Sequence, residues 1–262
     1  MLNNLVDNSK PFNLPMGGSK ADIIAQLQRD ILSLQGFRST AKSTAADLGL
    51  GPIKHAFPNA TFPTDAIHEF LSGAAEHSAA TAGFISGLLG RLMQNTGACV
   101  WISTARSLFP PALKVFGIEP DQVIFVTMER ERDVLWAMEE ALKCRGLAAV
   151  VGEIKELSFM ASRRLQLAVE QSNVTGFIIR HQPRYTGVTA CVSRWQITPL
   201  PSELEAGLPG IGFPRWQVSL LKIRNGRPGV WQVEWSGGRC NLLTTPAIAG
   251  PQQPEHETRL RV

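Results

Sequence analysis

The chain is short of charge, of paired cysteines and of long apolar runs, and each shortage narrows what it can be. No stretch approaches the roughly 18 consecutive apolar residues of a membrane span, and the first twenty residues lack the apolar segment of a secretory signal. The expectation is a soluble, cytoplasmic protein with no membrane contact. The four cysteines, Cys99, Cys144, Cys191 and Cys240, are far apart and form no CxxC pair. That spacing predicts buried structural thiols in a reducing compartment. HExxH, GxSxG, Cys/His nucleophile signatures and paired carboxylates at a strand end are all missing, so no catalytic residue, metal ligand or cofactor is expected. Charged residues are only 18% of the chain, while the formal net charge of +4 is compatible with an anionic partner without requiring one.

What is present is enough for one core: 262 residues, 44% of them hydrophobic. Ala66 to Leu92 organises the rest. An apolar run, Ile67 to Leu71, breaks at Ser72-Gly73 and resumes as a small-residue helix through Phe84, Ile85, Leu88, Leu89 and Leu92. Strand, glycine turn and helix in that order frame a phosphate-binding loop, where helix N–H groups face an anion. The motif needs a second glycine, a lysine and a hydroxyl at positions held here by Ser78, Ala79 and Ala80. Gly73, Glu76, His77, Ser78, Ala79 and Ala80 therefore form a degenerate phosphate loop.

In chain order, residues 1–18 read as a disordered arm. Residues 19–36 read as an amphipathic helix with Ile24, Leu27, Ile31 and Leu34 in one stripe, a candidate contact for a second copy or a partner. The Pro/Gly/Ser-rich stretch 37–64 reads as a linker, its short apolar pieces around Ile53 and Phe57 being suited to a sheet edge, 65–240 as the core domain and 241–262 as a flexible tail. Within the core, Ala98–Ser103, Val123–Thr127, Leu147–Val151 and Val174–Ile179 have the continuous apolar character of buried parallel strands. They alternate with a short helix at 110–116 and longer ones at 131–143 and 158–171, the last with Leu165, Leu167 and Val169 inward. This is an α/β, mostly parallel, doubly wound sheet. Ala190–Ile197, Trp216–Arg224 and Gly229–Trp235 read as antiparallel strands extending it, the last two joined by a turn at Asn225-Gly226-Arg227-Pro228. Arg180, His181, Arg184 and Tyr185 follow the fourth strand and are candidates for a DNA or partner edge. Trp195, Trp216, Trp231 and Trp235 read as core.

The order of pieces resembles the RecA-like fold and, more narrowly, the ImuA family of SOS-associated bacterial proteins. The residues carrying the resemblance are SGAAEHSAATAGF, VWISTARSLFPPALKVFGI, VLWAMEEALKCRGLAAVVGEI, SRRLQLAVEQSNVTGFIIR and WQVSLLKIRNGRPGVWQVEW, together covering about residues 65 to 236. The RecA comparison implies that the phosphate-loop lysine and hydroxyl fall on Ala79 and Ala80, the water-activating glutamate on Ala105, and the strand-end acid on Gly152. Strand alternation points the neighbouring Glu153 to the other side. The resemblance thus implies a protein without ATPase activity that acts in SOS-induced translesion DNA synthesis. Its implied partners are an ImuB-like homologue of Y-family polymerases, an error-prone replicative-type polymerase, and RecA or the RecA–DNA filament. A weak DNA contact and a homo-oligomer stay open. The alternatives are an ATPase with an atypical phosphate loop and a SulA-like inhibitor of cell division.

Overall fold

The computed structural model describes residues 47–94, 97–106, 108–203 and 212–243, all within one compact unit, Ala45–Val262. The arm at 1–18, the helix at 19–36 with Ile24, Leu27, Ile31 and Leu34, and most of the tail lie outside the described residues. The chain forms one nine-stranded sheet. Its strands are β1 (Ile67–Ser72), β2 (Ala98–Ser103), β3 (Val123–Thr127), β4 (Leu147–Ile154), β5 (Thr175–His181), β6 (Ser193–Leu200), β7 (Arg215–Ile223), β8 (Gly229–Ser236) and β9 (Arg239–Leu242), in the order β3-β2-β4-β5-β1-β6-β7-β8-β9. The first six in that order pair in parallel and the last three antiparallel. This is the α/β, mostly parallel RecA-like sheet with an antiparallel extension.

The helices α1 (Ala75–Leu92), α2 (Glu131–Leu142) and α3 (Phe159–Ser172) cover the two faces. On one face α1 packs through Phe84 against an aromatic cluster of Phe70, Trp195, Trp216, Phe116 and Trp235. All four tryptophans expected in the core are buried. The helix approaches closely because it carries glycine where the rings lie: a Cβ on Gly87 would meet the Trp235 ring at 2.8 Å. On the other face, Val134, Met138 and Leu142 of α2 join Leu165, Ala168 and Val169 of α3 over Val100, Ile102, Val150 and Ile178.

Several expectations are corrected. Ala190–Ile197 is antiparallel on one side only: β6 pairs antiparallel with β7 but in parallel with β1, because the segment 182–192 returns the chain to the start of the sheet before β6 begins. Val123–Thr127 is not buried. It forms the end strand of the sheet, with Ile124 51% and Phe125 40% exposed. Leu167 faces solvent, and Cys144 is exposed, unlike Cys99, Cys191 and Cys240. Residues 47–64, part of the stretch with linker composition, pack into the unit through Leu48, Leu50, Ile53, Phe57 and Phe62. Cys240 N–H donates to Gly49 O, tying this segment to β9, and β9 itself takes in Asn241 and Leu242.

Candidate functional site

Phosphate-loop frames work because a strand delivers the chain to a glycine turn and the next helix aims its free N–H groups at an anion. Here β1 ends at Ser72 and α1 starts at Ala75, with Gly73 and Ala74 between. The interior of that turn holds a side-chain hydrogen-bond chain. Ser72 Oγ lies 3.1 Å from Ser78 Oγ, and Ser78 Oγ lies 3.0 Å from His181 Nδ1. On the far side of the ring, His181 Nε2 lies 2.8 Å from Glu153 Oε2, while Trp101 Nε1–H donates to Glu153 Oε1 at 2.5 Å. With Nε2 donating to the carboxylate, Nδ1 is left as an acceptor for a hydroxyl.

The order serine, histidine, carboxylate resembles that of a hydrolase, but here the serine hydroxyl is tied into the turn by three polar neighbours. Ser78 Oγ has Ser72 Oγ, the Ala74 carbonyl at 3.2 Å and His181 Nδ1 around it, besides its own Cβ. Ser72 Oγ–H donates to this oxygen, and the Ala74 carbonyl and His181 Nδ1 share its one proton. The chain acts as a strut tying the ends of β1, β2, β4 and β5 to the first turn of α1.

One assignment reverses. Glu153, and not Gly152, faces the loop. β4 runs to Ile154, past the apolar run, so Glu153 shares its pleat with Val151 on the α1 side. A Cβ on Gly152 would instead meet Met138 Sδ at 2.7 Å on the α2 side. The strand-end acid is therefore present, held by His181 and Trp101. The loop lysine and hydroxyl positions remain Ala79 and Ala80, the first exposed and the second buried. Ala105 sits in the turn after β2, where its carbonyl accepts from Ser103 Oγ.

Beside the loop lies a cleft of about 980 Å³. Its floor is the small-residue side of α1, including Ala75, Ala79 and Gly83, and its walls include Phe109, Phe116 and Trp216. Glu76, Glu131 and Glu153 bring three carboxylates to it. Of its basic residues, Arg215 is paired with Glu203 at 2.7 Å and with Glu234 at 2.8 Å, His181 is hydrogen-bonded to Glu153, and Lys155 also lines it. His77 and Thr81 do not line it. Among the described residues no group of histidine, cysteine or carboxylate side chains is arranged to hold a metal ion.

The four residues at the end of β5 do not form one edge. Alternation sends His181 into the phosphate-loop frame and Arg180 to the opposite face, where it is 1% exposed. There Arg180 Nη1 donates to Glu69 Oε1 at 2.8 Å and Nη2 to Glu156 Oε2 at 3.1 Å. Glu69, fully buried, also accepts from Arg194 Nε and Thr189 Oγ1, each at 2.8 Å. Arg180 is thus a buried structural cation. Arg184 and Tyr185 are exposed, Tyr185 at 79%. Sequence reasoning missed Trp101, Glu69 and the pairing of Glu153 with His181; the matched parity of Trp101 and Glu153 on neighbouring strands was the available signal.

The strand order, the parallel arrangement of six strands and the turn that leads β1 into α1 define a RecA-like α/β protein. Comparison narrows this. The chain is 35% identical over 192 residues to Protein ImuA of Caulobacter vibrioides, in strain NA1000/CB15N and in strain CB15 alike, an alignment spanning 68% of this chain and 78% of the relative. The chain belongs to the ImuA family. No family model matches it. Among solved structures it is similar to SulA from Pseudomonas aeruginosa, at 22% identity and a TM-score of 0.39, over 44% of this chain and 97% of that one.

Proposed function

We propose that this chain is a non-catalytic component of DNA-damage-induced mutagenesis, acting through protein contacts in error-prone translesion synthesis. Membership of the ImuA family supports the pathway. The proposed partners are an ImuB-like polymerase homologue, an error-prone replicative-type polymerase and RecA or its DNA filament.

The observation that carries the non-catalytic part is the filled interior of the loop. Phosphoryl transfer relies on positioned positive charge: a lysine on the β/γ-phosphates and a metal held by a hydroxyl and an acid. Here Ala79 and Ala80 stand at the first two positions, Ser78 is tied to Ser72, the Ala74 carbonyl and His181, and Glu153 is held by Trp101 and His181. The adjoining cleft mixes Glu76, Glu131 and Glu153 with Lys155, His181 and Arg215, a lining without the concentrated positive charge of a phosphate cradle. Purified full-length chain with ATP and magnesium is expected to release no phosphate above the blank. Turnover that disappears in Glu76→Ala or Glu153→Gln would establish an atypical ATPase instead.

A further inference from the structure

The buried ion network on the α3 face does more than neutralise itself; it fixes an exposed loop. Arg180 Nη2 donates to Tyr185 O at 2.5 Å, and Arg194 donates to Thr186 O at 3.3 Å and to Gly187 O at 2.6 Å. Arg184 N–H donates to Glu156 Oε1 at 2.8 Å, and Ala190 N–H to Ser162 Oγ at 2.9 Å. At the loop's start Gln182 N–H donates to Ser72 O at 2.7 Å. Three successive carbonyls are held from inside by two arginines that share one fully buried carboxylate. Placing Glu69 in the interior carries a desolvation cost that only well-made pairs offset, and here those pairs immobilise residues 182–190.

The same bonds stitch this loop to the start of α3, and the joined segments present apolar side chains to solvent. Tyr185, the chain's one tyrosine, is 79% exposed and Val188 76%; Met160 is 70% and Phe159 50% exposed. Immobilising a loop beforehand removes an ordering cost that binding would otherwise carry. The exposed charge beside these side chains is positive. Glu156 is engaged by Arg180 and by the Arg184 N–H, while the exposed Arg184 side chain has no carboxylate partner among the described residues.

We propose that Tyr185, Val188, Phe159 and Met160 form a preorganised docking surface for a partner-protein segment with apolar residues flanked by aspartate or glutamate. Protein fits this surface better than nucleic acid. Val188 and Met160 offer a base neither a stacking plane nor a phosphate contact, whereas an apolar side chain gains from both. The inference rests on the interaction reading above and assigns that reading a surface.

The test is a displayed library of random twelve-residue peptides panned on the full-length chain. Enriched sequences are then synthesised and titrated against the chain and against the double variant Tyr185→Ser/Val188→Ser, whose exposed positions leave the fold undisturbed. The expected result is enrichment of apolar sequences with acidic flanks, binding at least tenfold weaker to the double variant and weaker to Arg184→Glu. No enrichment, or equal binding to the variants, would overturn the proposal. So would Tyr185-dependent binding of a labelled oligothymidylate without peptide binding, or self-association of the chain that the double variant abolishes. A failure here would leave the ATP measurement and any whole-partner complex unaffected, so the two readings fail separately.

Discussion

At the scale of single residues, the most consequential side chains are polar ones that strand alternation sends inside. Glu69 is fully buried between Arg180 and Arg194. Removing one member of a buried ion group leaves charge uncompensated, at a cost of about 3–5 kcal/mol. Glu69→Gln is therefore expected to lower unfolding stability by about 3 kcal/mol in urea titrations. His68 gives a second test. It is fully buried, with Nδ1 2.6 Å from Ser193 Oγ and Nε2 2.8 Å from Pro63 O, and burial pushes its pKa down to about 3 from the usual 6.5. The native state then binds fewer protons than the unfolded chain between those values, so stability is present above pH 6.5 and falls as pH drops toward 3. Lowering the pH from 7.5 to 5 is expected to remove about 2 kcal/mol through this residue, and His68→Gln is expected to flatten that part of the profile. At this scale the sequence was partly legible. Arg180 and His181 are adjacent and were grouped as one edge, yet a period of two residues puts them on opposite faces. The apolar runs at 147–151 and 174–179 ended before the strands did, which concealed where Glu153, Arg180 and His181 point.

At the scale of elements, α1 and its approach to the sheet dominate. Its glycines mark two kinds of close contact. A Cβ on Gly90 would lie 2.1 Å from the Phe116 carbonyl oxygen, which is backbone, whereas a Cβ on Gly152 in β4 would meet the flexible Met138 Sδ. Gly90→Ala is expected to destabilise by more than 2 kcal/mol, within the range of overpacking about 1–3 kcal/mol or above it, and Gly152→Ala by clearly less; thermal unfolding of both variants decides it. The helices and the central strands were legible because their apolar periodicity is strong and glycine punctuates them. The direction of β6 was not, since period-two patterning is the same in parallel and antiparallel strands. The packing of 47–64 was only half visible, because Pro52, Pro58 and Pro63 give the composition of a linker while the apolar pieces at Ile53 and Phe57, which suit a sheet edge, supply core.

At the scale of the whole molecule, the two faces of the sheet divide the work. The α1 face holds a phosphate-loop frame filled by Ser78, His181 and Glu153, and the α3 face holds a loop immobilised over a buried carboxylate. Both arrangements favour a rigid binding protein over an engine that changes shape with nucleotide. If so, partner binding is indifferent to nucleotide. The most direct measurement is co-purification of the full-length chain with an ImuB-like partner in parallel buffers containing ATP with magnesium, ADP with magnesium, or EDTA. The account predicts one complex recovered in equal amount in all three. A complex that forms only with ATP, or none in any buffer, would contradict it.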